Sequence, residues 1–273
     1  MYKPRSAMLT LFGDYFRHRD GEIGIGSLIR LFSNFGLSEQ SVRSAVSRMC
    51  RAGLLESRRK GAKSYYSLTE TGNSLLTEGA RRIFERKAIR WDGTWTVVVY
   101  FIPEEKREAR DRLRPDLGLL GFGALSEATW ISPNNLLEEV EETVDRLGIR
   151  EYVQVFQAKH IGYSDPKRLV ERCWDLNMIH NRYADFVDKY QPKLENHLEK
   201  LRAGEIIDSS NCFLERFNLI HEYRKLPYFD PDLPAELLPK KWLRSKAASL
   251  FNEYHDLLNE KATEYFKSII KQY

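Results

Sequence analysis

The sequence predicts an α+β protein built from several domains. Three observations lead to this class. The N-terminal third carries short amphipathic helices followed by a hairpin, the middle alternates strand and helix signals, and after residue 161 only helix signals remain. At 273 residues, 42% of them hydrophobic, the chain is long enough for two or three separate cores. We expect domains at 1–90, 91–163 and 164–273.

The first domain begins with two short apolar helices. Apolar residues at helical spacing from Met8 to Phe16 mark the first helix, and those from Leu28 to Phe35 mark the second. Gly36 ends the second helix and is followed almost at once by a third. Helix, short glycine-containing turn and capped helix is the order of a helix-turn-helix.

The third helix has one apolar side and one polar side. Ser38 is a suitable N-cap, because its hydroxyl can accept a backbone N–H of the first turn. An apolar stripe runs from Val42 to Cys50. Gln and Arg can make bidentate contacts with adenine and guanine edges in a major groove. The predicted base readers, which lie away from the stripe or on its flanks, are Gln40, Arg43, Ser44, Ser47 and Arg48. The alternative is a solvated helix with an arginine bias.

A basic hairpin follows the third helix. Two short strands are predicted at 54–55 and 65–68, with a turn around Gly61 between them. The turn is expected to hold four cations that suit contact with phosphates; they are Arg58, Arg59, Lys60 and Lys63. Together these features predict a winged helix-turn-helix that binds double-stranded DNA, although a hairpin tip can also be basic for solubility alone. A connector helix then extends to about residue 88.

The distribution of charge agrees with a DNA-binding first domain. The whole chain holds 43 Lys and Arg and 39 Asp and Glu. Residues 1–90 hold 17 of the basic and 8 of the acidic residues, a net charge of +9, which leaves −5 for the rest. A basic N-terminal domain joined to a mildly acidic body is typical of a DNA-binding protein with a regulatory part.

Cysteine usage and hydropathy indicate the compartment. Cys50, Cys173 and Cys212 are far apart and form no CxxC pair, so structural disulfides are not expected. No stretch approaches the roughly 18 consecutive apolar residues of a membrane span, and residues 1–10 lack a signal-peptide core. We therefore expect a soluble, cytoplasmic protein without a membrane segment.

The second domain, 91–163, shows six elements in the order β-α-β-β-α-β. The strands are expected at 95–102, 122–125, 129–131 and 152–156. Asn134 or Asn135 is the expected cap of the second helix, and the glycine-rich stretch 118–123 is expected to be a loop. This order is that of a ferredoxin-like fold. Because such folds commonly pair through their sheets or edges, a dimer interface is expected in this domain.

The third domain, 164–273, is predicted to be all-α. One helix starts at Asp165, a second is expected to end at Pro192, and the last spans about 243–270. A proline-studded, aromatic connector at 221–234 precedes that last helix.

Catalytic motifs are weak throughout the sequence. The six histidines are scattered, without the HxxxH or HExxH spacing of a metal site. The chain has no GxSxG elbow and no GxxxxGK phosphate loop. We therefore expect a protein that is not an enzyme and that holds no cofactor or metal. Two alternatives stay open, a metal-dependent nuclease recruited to DNA by the first domain and a ligand-processing enzyme.

Short motifs along the chain resemble one family. The first domain contains AMLTLFG at 7–13 and SVRSAVSR at 41–48, the second opens with WDGTW at 91–95, and a segment that begins HEYRK runs from 221 to 242. In this order, and over essentially the whole chain, they resemble the PaaX family of transcriptional repressors of phenylacetic acid degradation. The resemblance implies a homodimer that binds a palindromic operator and is released by phenylacetyl-coenzyme A.

The second domain also resembles the Cas2 type of ferredoxin-like fold. In nucleases of that type an acidic residue ends the first strand and positions a metal. Here the strand ends in Phe101-Ile102-Pro103, and Glu104 and Glu105 come only afterwards. The resemblance therefore implies a non-catalytic scaffold for dimerisation, whereas the alternative of a Cas2-like nuclease depends on Glu104.

An acyl-coenzyme A effector needs cations for its phosphates and an aromatic, apolar slot for its ring. The segment that begins at 221 offers these residue types. The predicted effector contacts are His221, Tyr223, Arg224 and Lys225. The alternative is that this segment is a structural latch that packs the last helices together.

Overall fold

The computed structural model describes residues 2–17, 21–85 and 90–272. These residues form two compact units, each assembled from segments that are distant in sequence. Unit 1 combines Met1–Arg86, Phe186–Arg224 and Lys246–Tyr273. Unit 2 combines Lys87–Asp185 and Lys225–Ser245.

The protein is a mixed α+β chain of more than one domain, as the sequence predicted. Its helical C-terminal region contributes to both units. The boundaries expected from the sequence, 1–90, 91–163 and 164–273, therefore stay a prediction. Across the ranges that the structure describes, no helix combines the length and the apolar character needed to cross a membrane.

The N-terminal part of unit 1 consists of four helices and a small antiparallel sheet. The helices are α1 (Pro4–Tyr15), α2 (Ile25–Ser33), α3 (Glu39–Arg51) and α4 (Glu70–Phe84). The strands are β1 (Ile23–Gly24), β2 (Leu55–Lys60) and β3 (Lys63–Leu68), in the order β1-β3-β2. Strand β1 was not predicted, because two residues carry no periodic signal. The predicted extension of α4 towards residue 88 enters 86–89, which lie outside the described residues.

The hairpin differs from its prediction in one respect. Strands β2 and β3 run to within two residues of each other, so the turn is only Gly61-Ala62. The four predicted turn cations therefore lie on the strands. The reason is that Gly61 has φ +59°, a left-handed value that a two-residue hairpin turn requires and that glycine adopts without strain.

Three C-terminal helices complete unit 1. They are the part of α8 (Leu176–Arg202) from residue 186 onwards, α9 (Ser209–Tyr223) and α11 (Arg244–Gln272). Large aromatic side chains from the N-terminal helices and from these helices are fully buried, among them Phe12, Phe32, Phe213, Phe217 and Phe251. Unit 1 therefore encloses a core to which the two ends of the chain both contribute.

The prediction that Pro192 ends a helix is wrong, because α8 continues through it to Arg202. A proline inside a helix removes one backbone hydrogen bond and costs about 3 kcal/mol. Tyr190 and Leu194, on either side of Pro192, are both buried. Their burial offsets this cost, since each large apolar side chain contributes roughly 1.5–3 kcal/mol.

Unit 2 is built on a four-stranded antiparallel sheet with the predicted βαββαβ order. The strands are β4 (Thr94–Tyr100), β5 (Gly123–Ser126), β6 (Thr129–Ser132) and β7 (Val153–Lys159), arranged as β5-β6-β4-β7. The crossing helices are α5 (Arg107–Leu120) and α6 (Leu137–Leu147). Strand β7 thus lies at one edge of the sheet.

Both faces of this sheet are covered. Leu117 of α5 and Val140 of α6 pack with Val98 of β4 in one core. In a second core, Trp95 of β4 packs with Val170 of α7 (Pro166–Cys173) and with Leu233. The predicted helix start at Asp165 is confirmed, because its side chain accepts the backbone N–H of Lys167 at 2.9 Å.

Two local predictions in this unit are wrong. Neither asparagine caps α6, whose N-cap residue is Leu136. The Asn134 amide instead donates to the carbonyls of Pro231 and Asp232, both at 3.3 Å. The glycine-rich stretch is not all loop, because α5 includes Gly118 and ends only before Gly121, which has φ +99°.

The predicted connector at 221–234 is partly helical. Its first three residues are the end of α9, and α10 (Leu226–Phe229) follows. Asp230, after α10, accepts two hydrogen bonds from Arg244, both at 2.6 Å, and one from the Tyr183 hydroxyl at 2.6 Å. This buried carboxylate fixes the part of the connector that belongs to unit 2.

Candidate nucleic-acid interface

Helix α3 is held in place by a cap and by its apolar stripe. The Ser38 hydroxyl accepts the backbone N–H of Ser41 at 3.3 Å, and Gly36 enters the preceding turn at φ +71°. The stripe is buried as expected through Val42, Ala45, Val46 and Met49. Its burial leaves the other side of the helix facing outwards.

The five predicted base readers all lie on that outward side. We call them the polar face of α3; they are Gln40, Arg43, Ser44, Ser47 and Arg48, and all are exposed. Arg43 pairs with Glu39 one turn earlier, Nε to Oε1 at 2.8 Å. An exposed pair of this kind is worth only about 0.3–0.5 kcal/mol, so a base or phosphate can displace Glu39 at small cost.

The basic hairpin, β2 and β3 with their turn, presents four exposed cations: Arg58, Arg59, Lys60 and Lys63. Lys60 and Lys63 are direct cross-strand neighbours beside the turn. Like charges placed opposite each other destabilise a hairpin, and a phosphate between them would remove this repulsion. Lys60 also pairs with Glu22 and lies 5.2 Å from the centre of the Tyr65 ring.

The base of the hairpin is fixed to α3 and α4. The Thr69 hydroxyl donates to the Gly53 carbonyl at 2.6 Å and accepts the backbone N–H of Gly72 at 3.0 Å. Gly72 packs so closely that an added Cβ would lie 2.1 Å from the Leu54 carbonyl oxygen. The hairpin therefore leaves α3 in a defined direction.

Unit 1 contains a buried charge network that the sequence did not predict. Arg216 of α9 makes two hydrogen bonds to the Asp14 carboxylate, at 2.7 and 2.8 Å, and a third to the His255 carbonyl at 2.7 Å. His255 Nε2 lies 3.1 Å from Asp14 Oδ1. No local pattern could reveal this network, because Asp14 and Arg216 are separated by 202 positions.

The network sets the ionisation of its members. Burial alone would raise the pKa of Asp14, but the hydrogen bond from His255 and the charge of Arg216 outweigh it and lower that pKa. Burial likewise opposes the charge of Arg216, yet Asp14 raises its pKa overall. Asp14 and Arg216 are thus a charged pair that joins α1 to α9 inside the core.

The predicted effector residues lie at the end of α9 and just after it. His221 is buried, with Nδ1 2.8 Å from the Thr10 hydroxyl. Tyr223 is buried and stacks on Phe251 with ring centres 4.0 Å apart. Arg224 donates to the Ser6 carbonyl at 3.1 Å. These contacts join α9 to α1 and α11, and the effector role of His221, Tyr223, Arg224 and Lys225 stays a prediction.

Glu104, the first acidic residue after β4, is engaged by arginines. Glu104 pairs with Arg110 at 3.1 Å and with Arg107 at 3.5 Å. In the described parts of the chain, no three His, Cys, Asp or Glu side chains are grouped as a metal site requires.

Comparison with known proteins identifies the family. The profile described as PaaX-like protein matches residues 3–72, PaaX protein central Cas2-like domain matches 88–170, and PaaX-like protein C-terminal domain matches 174–268. Transcriptional repressor PaaX of Escherichia coli (strain K12) is 31% identical over 248 residues, which cover 90% of this chain and 77% of that protein.

A solved structure shares the fold. Uncharacterized protein Rv0674 from Mycobacterium tuberculosis superposes with a TM-score of 0.62 at 22% identity, over 98% of each chain. At this identity the likeness concerns the fold alone.

These matches define a transcriptional regulator with a Cas2-like central domain rather than an enzyme, as the sequence predicted. The chain belongs to the PaaX family of repressors, and the predicted resemblance is confirmed.

Proposed function

We propose that the chain is a cytoplasmic repressor of phenylacetic acid catabolic genes that binds operator DNA through a winged helix-turn-helix. In this proposal α2 and α3 are the two helices of the motif and the basic hairpin is the wing. The observation that carries the proposal is the exposed polar face of α3, which the basic hairpin follows directly in the same unit. Short polar side chains and arginines allow a helix to approach base edges closely.

The polar face of α3 and the basic hairpin have different roles in this proposal. Gln40, Arg43, Ser44, Ser47 and Arg48 contact base edges and determine sequence preference. Arg58, Arg59, Lys60 and Lys63 contact phosphates, which contribute affinity but carry no sequence information. Affinity should therefore depend strongly on salt, whereas base preference should depend on α3.

A homodimer supplies two such surfaces to a palindromic operator. The ferredoxin-like sheet supports pairing, because β7 is an edge strand and its Phe156 is 53% exposed. An exposed edge with apolar side chains favours association with another chain. Two winged helices held by one dimer would engage half-sites one helical turn, or a multiple of it, apart.

Release by phenylacetyl-coenzyme A follows from differential binding. The effector must bind more tightly to the conformation whose half-site spacing no longer fits the operator. His221, Tyr223, Arg224 and Lys225 are its contacts as predicted from the sequence. The contacts of His221 and Arg224 with α1 support a coupling role, since a ligand that displaces them would disturb the helices packed around α3.

A gel shift on DNA from upstream of phenylacetic acid catabolic genes tests this function. We expect a specific complex that phenylacetyl-coenzyme A dissociates and that free phenylacetate or coenzyme A alone leaves intact. An unrelated DNA of equal length is the control. Equal retention of both DNAs, or a complex that withstands the thioester, would contradict the proposal.

A further inference from the structure

Tyr2 packs against three aromatic rings of unit 1. Its ring meets all three edge to face; they belong to Phe35, Phe217 and His221, with centres 5.6, 5.8 and 5.0 Å away. Its hydroxyl donates to the side-chain oxygen of Asn218. We call the space that the Tyr2 ring occupies among these four residues the aromatic slot. Because edge-to-face contact is a favoured geometry for aromatic rings, the slot is shaped for one planar ring.

The walls of the slot are fixed in the core, whereas its occupant lies outside the helices. Phe217 and His221 lie one turn apart on α9, both are buried, and their rings are stacked with centres 5.7 Å apart. Tyr2 is only half-buried and precedes α1, whose N-cap residue Lys3 has extended backbone angles. The Tyr2 ring can therefore leave the slot without unwinding α1, and a ligand can enter from solvent.

The charges around the slot narrow the chemistry of a ligand. Burial, followed by the charges of Glu222 and Glu215, raises the pKa of Tyr2, so its hydroxyl stays protonated and donates. The lysines nearest to these glutamates are already engaged, since Lys189 pairs with Glu222 at 2.7 Å and Lys193 with Glu215 at 2.8 Å. The slot therefore suits an uncharged aryl group rather than a ring that carries an anionic substituent.

Phe35 connects the slot to α3. It belongs to the turn between α2 and α3 and packs against Phe217, with ring centres 4.2 Å apart. The next residue, Gly36, has φ +71° and leads into the cap of α3. Tyr2 thus joins the start of α1 to the turn that positions the polar face of α3, and its departure would remove this contact.

We propose that Tyr2 is an internal ligand of the aromatic slot and that an uncharged aryl group competes with it for the same place. With Tyr2 in the slot, α1, α9 and the turn before α3 are joined in the conformation that binds the operator. With an aryl ligand in the slot, Tyr2 is expelled and this connection is lost. The inference rests on the proposed function, because it describes the regulation of the site that contains His221. The phenyl ring of the proposed effector belongs to this ligand class.

Calorimetry for the ligands and fluorescence anisotropy for the operator, both on the full chain, test this competition. Two probes carry the ring, phenylacetyl-coenzyme A and phenylacetate, and coenzyme A alone does not. Tyr2→Ala empties the slot, whereas Asn218→Ala removes only the partner of the Tyr2 hydroxyl. Tyr163→Ala is the matched control, because Tyr163 is exposed and belongs to unit 2.

We expect Tyr2→Ala to tighten binding of the ring-bearing probes and to weaken operator binding, each roughly tenfold, the effect of one or two aromatic pairs. The ligand affinity rises because the ring no longer has to displace Tyr2. Asn218→Ala should change both affinities in the same directions by about threefold, the effect of one hydrogen bond. Binding of coenzyme A alone should not respond to either variant, and Tyr163→Ala should behave like wild type.

A merely structural role of Tyr2 predicts weaker operator binding alone. Ring-bearing probes that bind both slot variants no more tightly than wild type would therefore overturn the slot, while specific operator binding by wild type and its release by the thioester would leave the proposed function standing. Operator affinity that Tyr2→Ala leaves unaltered would overturn the coupling to α3. Tighter ring binding in a protein that recognises no specific operator would support the slot and contradict the proposed function. Ring-bearing probes that bind neither wild type nor the slot variants would overturn both.

Discussion

Asp14 and Arg216 form a buried ion pair whose side chains are 5% and 6% exposed. Each charge depends on its partner, because an unpaired charge in a protein interior is far more costly than a buried hydrogen-bonded pair. The pair joins α1 of the predicted DNA-binding part to α9 of the C-terminal part. A single residue pair thus contributes to holding together segments from the two ends of the chain.

Replacing one partner should destabilise unit 1 strongly. We expect Asp14→Asn to lower the free energy of unfolding by about 3–5 kcal/mol, because it leaves Arg216 buried without its counter-charge. Urea unfolding at pH 7, followed by circular dichroism, measures this change. Glu264→Gln, which removes an exposed pair with Lys261, is the control and should leave the unfolding midpoint unchanged.

The same pair predicts the direction of a pH dependence. The pKa of Asp14 is lowered in the folded protein, so its contribution to stability is complete above the usual pKa of an aspartate. That contribution is lost as the pH falls through the lowered value. Acid titration should therefore show a loss of stability that Asp14→Asn no longer shows. An identical acid profile in both proteins would contradict the ionised pair.

Glu22 neutralises part of the basic hairpin through its pair with Lys60. We expect Glu22→Gln to tighten operator binding and to steepen the dependence of log affinity on log salt, because Lys60 becomes available to a phosphate. Fluorescence anisotropy at several salt concentrations measures both quantities. Glu56→Gln, on the same hairpin, serves as a comparison. A salt slope unaffected by Glu22→Gln would argue against contact between Lys60 and phosphate.

At the scale of elements, the hairpin and α4 depend on a glycine that has no room for a side chain. An added Cβ on Gly72 would lie 2.1 Å from the Leu54 carbonyl oxygen, which cannot move without shifting the hairpin base. We expect Gly72→Ala to destabilise unit 1 and to weaken DNA binding, because the hairpin loses its direction. Thermal unfolding and anisotropy measure the two effects.

Gly13 of α1 is the matched control for this substitution. Its added Cβ would meet only the Leu76 side chain, at an ordinary 3.6 Å. Gly13→Ala should stabilise unit 1 by roughly 0.5–1 kcal/mol, because alanine is the better helix former. Equal effects of the two substitutions would contradict the close packing at Gly72.

Local chemistry made most of the elements predictable. The Ser38 cap, the stripe from Val42 to Met49 and the βαββαβ order follow from side-chain spacing and capping, and the structure confirms them. The prediction that a helix ends at Pro192 is wrong, because the burial of neighbouring side chains outweighs the tendency of proline to end a helix. The prediction that Asn134 or its neighbour caps α6 is wrong, because the Asn134 amide donates to carbonyls almost a hundred positions away.

The exposed part of the candidate site was also accessible from the sequence. In an amphipathic helix the spacing of the apolar residues shows which side is buried and which is exposed. The polar face of α3 could therefore be predicted residue by residue. The contacts of Asp14 and His221 could not be predicted, because they depend on how distant helices pack.

At the scale of the whole molecule, the proposed dimer explains how one chain would serve a palindromic operator. Phe156 of β7 is 53% exposed on the edge strand of the sheet. We expect Phe156→Glu to shift the dimer towards monomer and to lower operator affinity, because a charge replaces an apolar contact. Light scattering and anisotropy measure these changes.

Leu119→Glu is the matched control for the dimer. Leu119 is 69% exposed and lies on helix α5 rather than on strand β7. The Leu119→Glu substitution should leave the oligomeric state unchanged. A Phe156→Glu protein that remains dimeric would show that the chains associate through another surface.

The central claim is that side chains of α3 contact base edges and determine which operator sequence is bound. Operator affinity of Arg43→Ala and Lys60→Ala, measured on a set of single-base operator variants over a range of salt, tests it. We predict that Arg43→Ala costs about 1–3 kcal/mol and changes the base preferred at one position in each half-site. Lys60→Ala should weaken all sequences alike and reduce the salt slope by roughly one. An Arg43→Ala protein with unaltered base preference, or a Lys60→Ala protein with an altered one, would contradict the account.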